Sequence, residues 1–206
     1  MPSLLARNRA IGLLGGSFNP AHDGHLHITL HALKKLGLDE VWWLVSSQNP
    51  LKASSDLAAY EKRLASARAL ASPHRRIRVL DIEAQENLRY SWQTIAWLKR
   101  RYRGAHFVWL MGADNLAQFH RWRRWRQILA SIPVIVFDRA PYSHTSLRSK
   151  TALYAHGFPS KTIALDSICA APRLALIHLR RNPVSSTVLR KSLGNDAFLR
   201  HNGVVG

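Results

Sequence analysis

Only one cysteine, Cys169, stands among the 206 residues, so the chain can form no intramolecular disulfide and no cysteine-based metal site. A reducing, cytoplasmic setting is the expected one. Long apolar runs are also missing: none approaches the roughly 20 residues that span a bilayer, so no membrane association is expected. Acidic residues are scarce, with 12 Asp+Glu against 30 Lys+Arg and a formal net charge of +18. That imbalance favours anionic substrates or polyanionic partners, although a basic solvated surface accounts for most of it. No internal repeat, low-complexity tract or dividing linker is visible, so residues 1–206 are expected to make a single domain. The opening MPSLLARNRA reads as a short frayed lead-in, because a buried strand and not a signal core follows it.

What the chain does contain is an alternation of apolar runs and amphipathic stretches. Strands are expected at Ile11–Gly15, Val41–Ser46, Ile77–Ile82, His106–Met111, Val134–Phe137 and Leu174–Leu179. Helices are expected near Gly24–Leu36, Leu57–Ala71, Ser91–Tyr102 and Trp125–Ala130, with a last one from Ser186. In the first helix Leu26, Leu30 and Leu33 repeat on one side. IGLL, VWWLV and PVIVF are apolar on both faces, as parallel strands covered by helices must be. The expected class is α/β, a Rossmann-like parallel sheet with helices on both faces. Arg139–Pro172 is the least regular stretch and reads as an excursion around a short helix; the tail His201–Gly206 has little to anchor it.

Directly after the first strand comes GGSFNPAHDGH, residues 15–25. Gly15 and Gly16 let the backbone leave the strand end tightly and let a ligand approach without Cβ obstruction. Pro20 precedes the helix, and His22 and His25 share a face if the helix has begun there. Transfer of a nucleotidyl group needs donors for phosphate oxygens as charge shifts toward the leaving pyrophosphate. Two imidazoles at a helix N-terminus supply them without a covalent intermediate. His27 and His31 have the i, i+4 spacing of zinc helices, but the accompanying glutamate is missing, and they read as ordinary helix residues.

A second motif, NPVSSTVLRKSL, follows LALIHLRR at residues 182–193. Ser185, Ser186 and Thr187 offer an N-cap and free hydroxyls, and the unpaired N–H groups of a helix start make an anion seat. Arg190 lies one turn after Ser186 and can reach the same anion. Read by itself, the stretch is equally a capped helix with an exposed arginine. In a parallel sheet, ligands gather outside the carboxyl ends of the strands, where both motifs lie.

Together, GGSFNPAHDGH and SSTVLR resemble the nucleotidyltransferase superfamily that carries HxGH and ISSTxxR motifs. The overall pattern is most similar to its bacterial nicotinate-nucleotide adenylyltransferase branch, from about Ile11 to Leu193. The resemblance implies transfer of AMP from ATP, accompanied by Mg2+, to nicotinate mononucleotide, giving deamido-NAD. It implies charge stabilisation by His22, His25 and Arg190, and ATP contacts by Gly15, Gly16, Ser17, Phe18, Lys52, Ser186 and Thr187. RYSWQT is similar to the family's SYTxDT and makes Ser91 a contact of the nicotinate; GADN gives Gly112 and Asp114, with Asp114 near ribose hydroxyls. FHRW is similar to an aromatic segment lining the nicotinate pocket, which gives Trp122. Gln93 departs from the pattern, standing where the family has aspartate. The run HRWRRWRQ alternates cations with aromatics, as single-strand nucleic-acid binders do. A helix with Trp122 and Trp125 turned inward explains it more simply, and no specific nucleic-acid partner is expected.

Overall fold

The computed structural model describes residues 9–47, 58–138, 149–155 and 174–179. Six strands form one sheet: β1 (Ala10–Gly16), β2 (Glu40–Val45), β3 (Ile77–Leu80), β4 (His106–Gly112), β5 (Val134–Asp138) and β6 (Leu174–His178). Their order is β3-β2-β1-β4-β5-β6, and every neighbouring pair is parallel. Seven described helices accompany them: α1 (Asp23–Lys35), α2 (Tyr60–Ala71), α3 (Ile82–Gln85), α4 (Ser91–Arg101), α5 (Ala113–Phe119), α6 (Trp125–Ser131) and α7 (Lys150–Ala155). The strand order reverses between β1 and β4, whose carboxyl ends flank the crevice where doubly wound sheets take their ligands.

Alternation along the strands feeds two cores. Leu14, Trp43, Val45, Val108, Leu110, Ile135 and Phe137 pack on one face with Ile28, Ala32 and Leu33 of α1 and Leu64 and Ala67 of α2. Ile11, Leu13, Trp42, Leu44, Trp109, Met111 and Val136 pack on the other with Ile95, Leu98, Leu116, Phe119 and Ile128. Both faces are therefore apolar, which is why the strands read as continuous apolar runs and not as alternating ones. At the opposite end of the sheet from the crevice, the buried Glu40 carboxylate accepts from Arg78 Nε and Nη2, both at 2.9 Å, and from Trp42 Nε1 at 2.8 Å. Burial pushes its pKa up, but these donors and Arg9 outweigh burial and hold it below the usual value.

The structure corrects several local readings. The strand expected to reach Ile82 stops at Leu80, and Ile82 opens α3. Leu30 is 41% exposed; the buried side of α1 is Ile28, Thr29, Ala32 and Leu33. Thr29 goes inside because its Oγ1 donates to the His25 carbonyl and accepts from Trp43 Nε1, each at 2.8 Å, so a polar residue takes a core position that leucine periodicity would not select. The run from His120 to Gln127 is not one helix: α5 ends at Phe119, Arg124 takes a left-handed backbone (φ 55°), and α6 begins at Trp125.

Candidate active site

The turn leaving β1 carries its strain at an unexpected residue. Neither Gly15 nor Gly16 has a positive φ; Phe18 does, at 44°. A left-handed backbone at a bulky residue is costly and persists only where its surroundings fix it. Here the Phe18 ring is fully buried, 4.6 Å from the His25 ring and stacked 5.2 Å from Trp43. Packing also requires a glycine at position 15. A Cβ there would lie 2.6 Å from Cη2 of Trp109, so the glycine makes room for an indole beneath the strand end. At Gly16 a Cβ would meet only the Phe18 ring, at 3.5 Å, an ordinary contact.

His22 is the N-cap of α1, with extended backbone (φ −154°). Its Nδ1 accepts from the Gly24 N–H at 3.0 Å, while Nδ1 of His25 accepts from the His22 N–H at 3.2 Å. The two rings stand 3.9 Å apart. A ring nitrogen that accepts from a backbone N–H carries no proton, so each neutral imidazole holds its proton on Nε2. Both Nε2–H groups thus belong to side chains at the first turn of α1, the positive end of that helix.

The other expected site residues distribute as follows. Gly15, Gly16, Ser17, Phe18, His22 and His25 form one corner at the end of β1. Asp114 lies in the first turn of α5, directly beyond the end of β4, and is exposed; Gly112 takes the N-cap position. Trp122 is half-buried, edge-on to Trp109 at 6.0 Å and 5.0 Å from Phe119. Since Trp109 also lies against Gly15, one indole links the β1 corner to Trp122. Ser91 opens α4, whose return crossover to β4 puts its N-terminus at the same edge of the sheet. The neighbours of Ser91 carry cations: the guanidinium carbon of Arg124 sits 4.2 Å over the Trp92 ring, and that of Arg123 5.0 Å over Tyr90. Gln93 folds back on the start of α4, its Oε1 accepting from the N–H groups of Arg89 at 3.1 Å and Tyr90 at 3.0 Å. Lys52, Ser186, Thr187 and Arg190 lie outside the described residues.

The His27 and His31 rings meet edge to face, 4.5 Å apart, and no group of three possible ligands that could hold a metal ion occurs among the described residues. Burial, then His27, Lys35 and Lys34, lower the His31 pKa. One residue escaped the sequence reading. Arg63 of α2 is buried and donates to carbonyls of both the β1 and the β2 loops. Its surroundings in the sequence, YEKRLASARALA, do not set it apart from the exposed Arg68.

Residues 13–192 match the family model described as Cytidylyltransferase-like. The chain is similar to a protein of Parvibaculum lavamentivorans named "Probable nicotinate-nucleotide adenylyltransferase", 45% identical over 193 residues that cover 93% of this chain and 96% of that one. A protein of Cereibacter sphaeroides with the same name is 48% identical over 185 residues, covering 87% of this chain and 95% of the other. In fold the chain is similar to Plasmodium falciparum nicotinic acid mononucleotide adenylyltransferase complexed with NaAD, with a TM-score of 0.68, 15% identity, and 91% and 85% of the two chains covered.

Proposed function

The chain belongs to the cytidylyltransferase-like family and to its nicotinate-nucleotide adenylyltransferases, and from that premise we propose how its β1 corner acts. The enzyme joins AMP from ATP to nicotinate mononucleotide and releases deamido-NAD and pyrophosphate, a step of NAD biosynthesis. The 5′-phosphate oxygen of the mononucleotide attacks the α-phosphorus in line, and the bond to the β-phosphate oxygen breaks. Oxygen on the departing pyrophosphate gains charge as this happens. His22 and His25, with their protons on Nε2, donate toward that charge without reorganising.

The observation that carries this reading is the pair of backbone N–H groups, from Gly24 and His22, that occupy both Nδ1 atoms and fix the donors' direction. The main chain of Gly16, Ser17 and Phe18 lies beside them for the phosphates; Lys52, Ser186, Thr187 and Arg190 complete the ATP contacts. Asp114 serves ribose hydroxyls, while Ser91 and Trp122 receive the pyridine ring and its carboxylate. Magnesium would accompany ATP as part of the substrate and would spread the polyphosphate charge. A donor set of imidazole and amide N–H groups, without thiolates, suits a nucleotide that brings its own cation. No protein nucleophile is needed, because position and charge stabilisation suffice.

Incubation with ATP, magnesium and one acceptor at a time, nicotinate mononucleotide, nicotinamide mononucleotide or phosphopantetheine, tests the assignment through pyrophosphate release. Release with nicotinate mononucleotide, matched by deamido-NAD, is expected. Release with phosphopantetheine alone would refute it.

A further inference from the structure

Arg63 is 2% exposed, yet no carboxylate pairs with it among the described residues. Its guanidinium instead gives four of its five N–H donors to main-chain carbonyls. Nε donates to Ala58 at 3.0 Å, Nη1 to Ser17 at 2.6 Å and Ser46 at 2.8 Å, and Nη2 to Ser47 at 3.1 Å. Its guanidinium carbon also lies 5.3 Å over the Tyr60 ring. A buried unpaired charge is an inefficient way to hold a fold, since a well-packed apolar side chain usually does as well. What an apolar residue could not do is orient peptide groups.

The peptides it grips belong to the two loops that meet at the corner. Ser17 lies within the turn after β1, and Ser46 and Ser47 follow β2. The same loops are joined by the Ser46 N–H donating to the Gly16 carbonyl at 2.9 Å and the Ala58 N–H donating to Asn19 Oδ1 at 3.1 Å. In a trans peptide the carbonyl and the following N–H point in opposite directions. With the Ser17 and Ser46 carbonyls drawn onto Arg63, the N–H groups of Phe18 and Ser47 face away from it. The Ser17 carbonyl also immediately precedes the left-handed Phe18, so Arg63 helps to fix the one strained non-glycine residue of this turn.

We propose that Arg63 is a positioning residue for the nucleotide: it turns the Ser17–Phe18 and Ser46–Ser47 peptides so that N–H groups, and not carbonyl oxygens, meet the ATP phosphates. The inference rests on reading the corner as the ATP site. With either peptide reversed, a carbonyl dipole would oppose the polyphosphate at short range.

The test compares full-length Arg63→Lys and Arg63→Met with the wild type, measuring thermal midpoints and the kcat and KM for ATP and for nicotinate mononucleotide. Lysine keeps the charge but cannot fan across four carbonyls; methionine keeps the apolar stem alone. Wild-type turnover reports on the ATP-site reading by itself, and only the variants report on Arg63. Positioning predicts folded variants whose KM for ATP rises about tenfold or more, while KM for the mononucleotide stays within about twofold. A scaffold role predicts lower midpoints with both KM values unchanged, which would overturn the proposal. Failure of both variants to fold would overturn it as well, by making Arg63 a residue of the core.

Discussion

At His22 the two ring nitrogens face different demands: Nδ1 caps α1 through the Gly24 N–H, and in the proposed mechanism Nε2 carries the proton offered to phosphate. Replacing His22 by alanine therefore removes a cap, at about 1 kcal/mol, as well as a charge-stabilising donor, whose loss costs about a hundredfold or more in kcat. His22→Asn separates the two, because asparagine is a good N-cap acceptor but places no donor where Nε2 lies. The asparagine variant should melt near the wild type and still lose the rate. Near-normal turnover in both His22→Asn and His25→Ala would remove the pair from the chemistry. The neighbouring glycines make a second contrast. Gly15→Ala would drive a methyl into the fully buried Trp109 ring and should destabilise the protein by about 1–3 kcal/mol. Gly16→Ala meets only an ordinary contact with Phe18 and should leave the thermal midpoint nearly unchanged while raising the KM for ATP. Equal midpoints for the two alanine variants would contradict this division of roles.

In α3, hydrogen-bonded to α4, lies a titratable group to which the proposed mechanism gives no role. Glu83 is 7% exposed; burial pushes its carboxyl up to about 7, against a smaller opposing effect of the hydrogen bond it accepts from Thr94 Oγ1 at 2.8 Å. A carboxyl whose folded pKa exceeds its unfolded one near 4.5 favours the native state when protonated. The penalty is absent below about pH 4.5, grows between 4.5 and 7, and is fully present above about 7, where it reaches roughly 3 kcal/mol. Glu83→Gln should thus raise the thermal midpoint at pH 8.5 and change it little at pH 5; equal shifts at both would contradict the burial account. Elements of this kind were only partly legible in the sequence. The strands and α1, α2, α4 and α6 followed from apolar runs and their spacing, because covered parallel strands leave an unmistakable apolar pattern. The short α3 and α5 did not, since four and seven residues give too few turns for a period to show. Gln93 shows another limit. Its departure from the expected aspartate was visible, but its hold on the Arg89 and Tyr90 N–H groups depends on where α4 begins. The histidine corner was legible because its residues are contiguous. Arg63 was not, because its partners lie 5 to 46 residues away and are all main chain.

For the molecule as a whole, the net charge of +18 acts on every anion that approaches. RNA association, where it occurs, should be sequence-blind and fall steeply between about 50 and 200 mM salt, because phosphate contacts release counterions. Tight, sequence-selective binding at physiological salt would contradict that reading. The same field bears on the small substrate. Nicotinate mononucleotide carries a carboxylate where its analogue carries a neutral amide, and Arg123 and Arg124 stack on Tyr90 and Trp92, the residues on either side of Ser91. Charge-assisted hydrogen bonds are roughly twice as strong as neutral ones, and a tenfold preference needs only about 1.4 kcal/mol. The measurement that bears most directly on AMP transfer to an acidic pyridine nucleotide is kcat/KM for the two mononucleotides, with ATP and magnesium saturating. A preference of about tenfold or more for the acid, with one pyrophosphate released per deamido-NAD formed, is the predicted result. Equal values, or a preference for the amide, would contradict it.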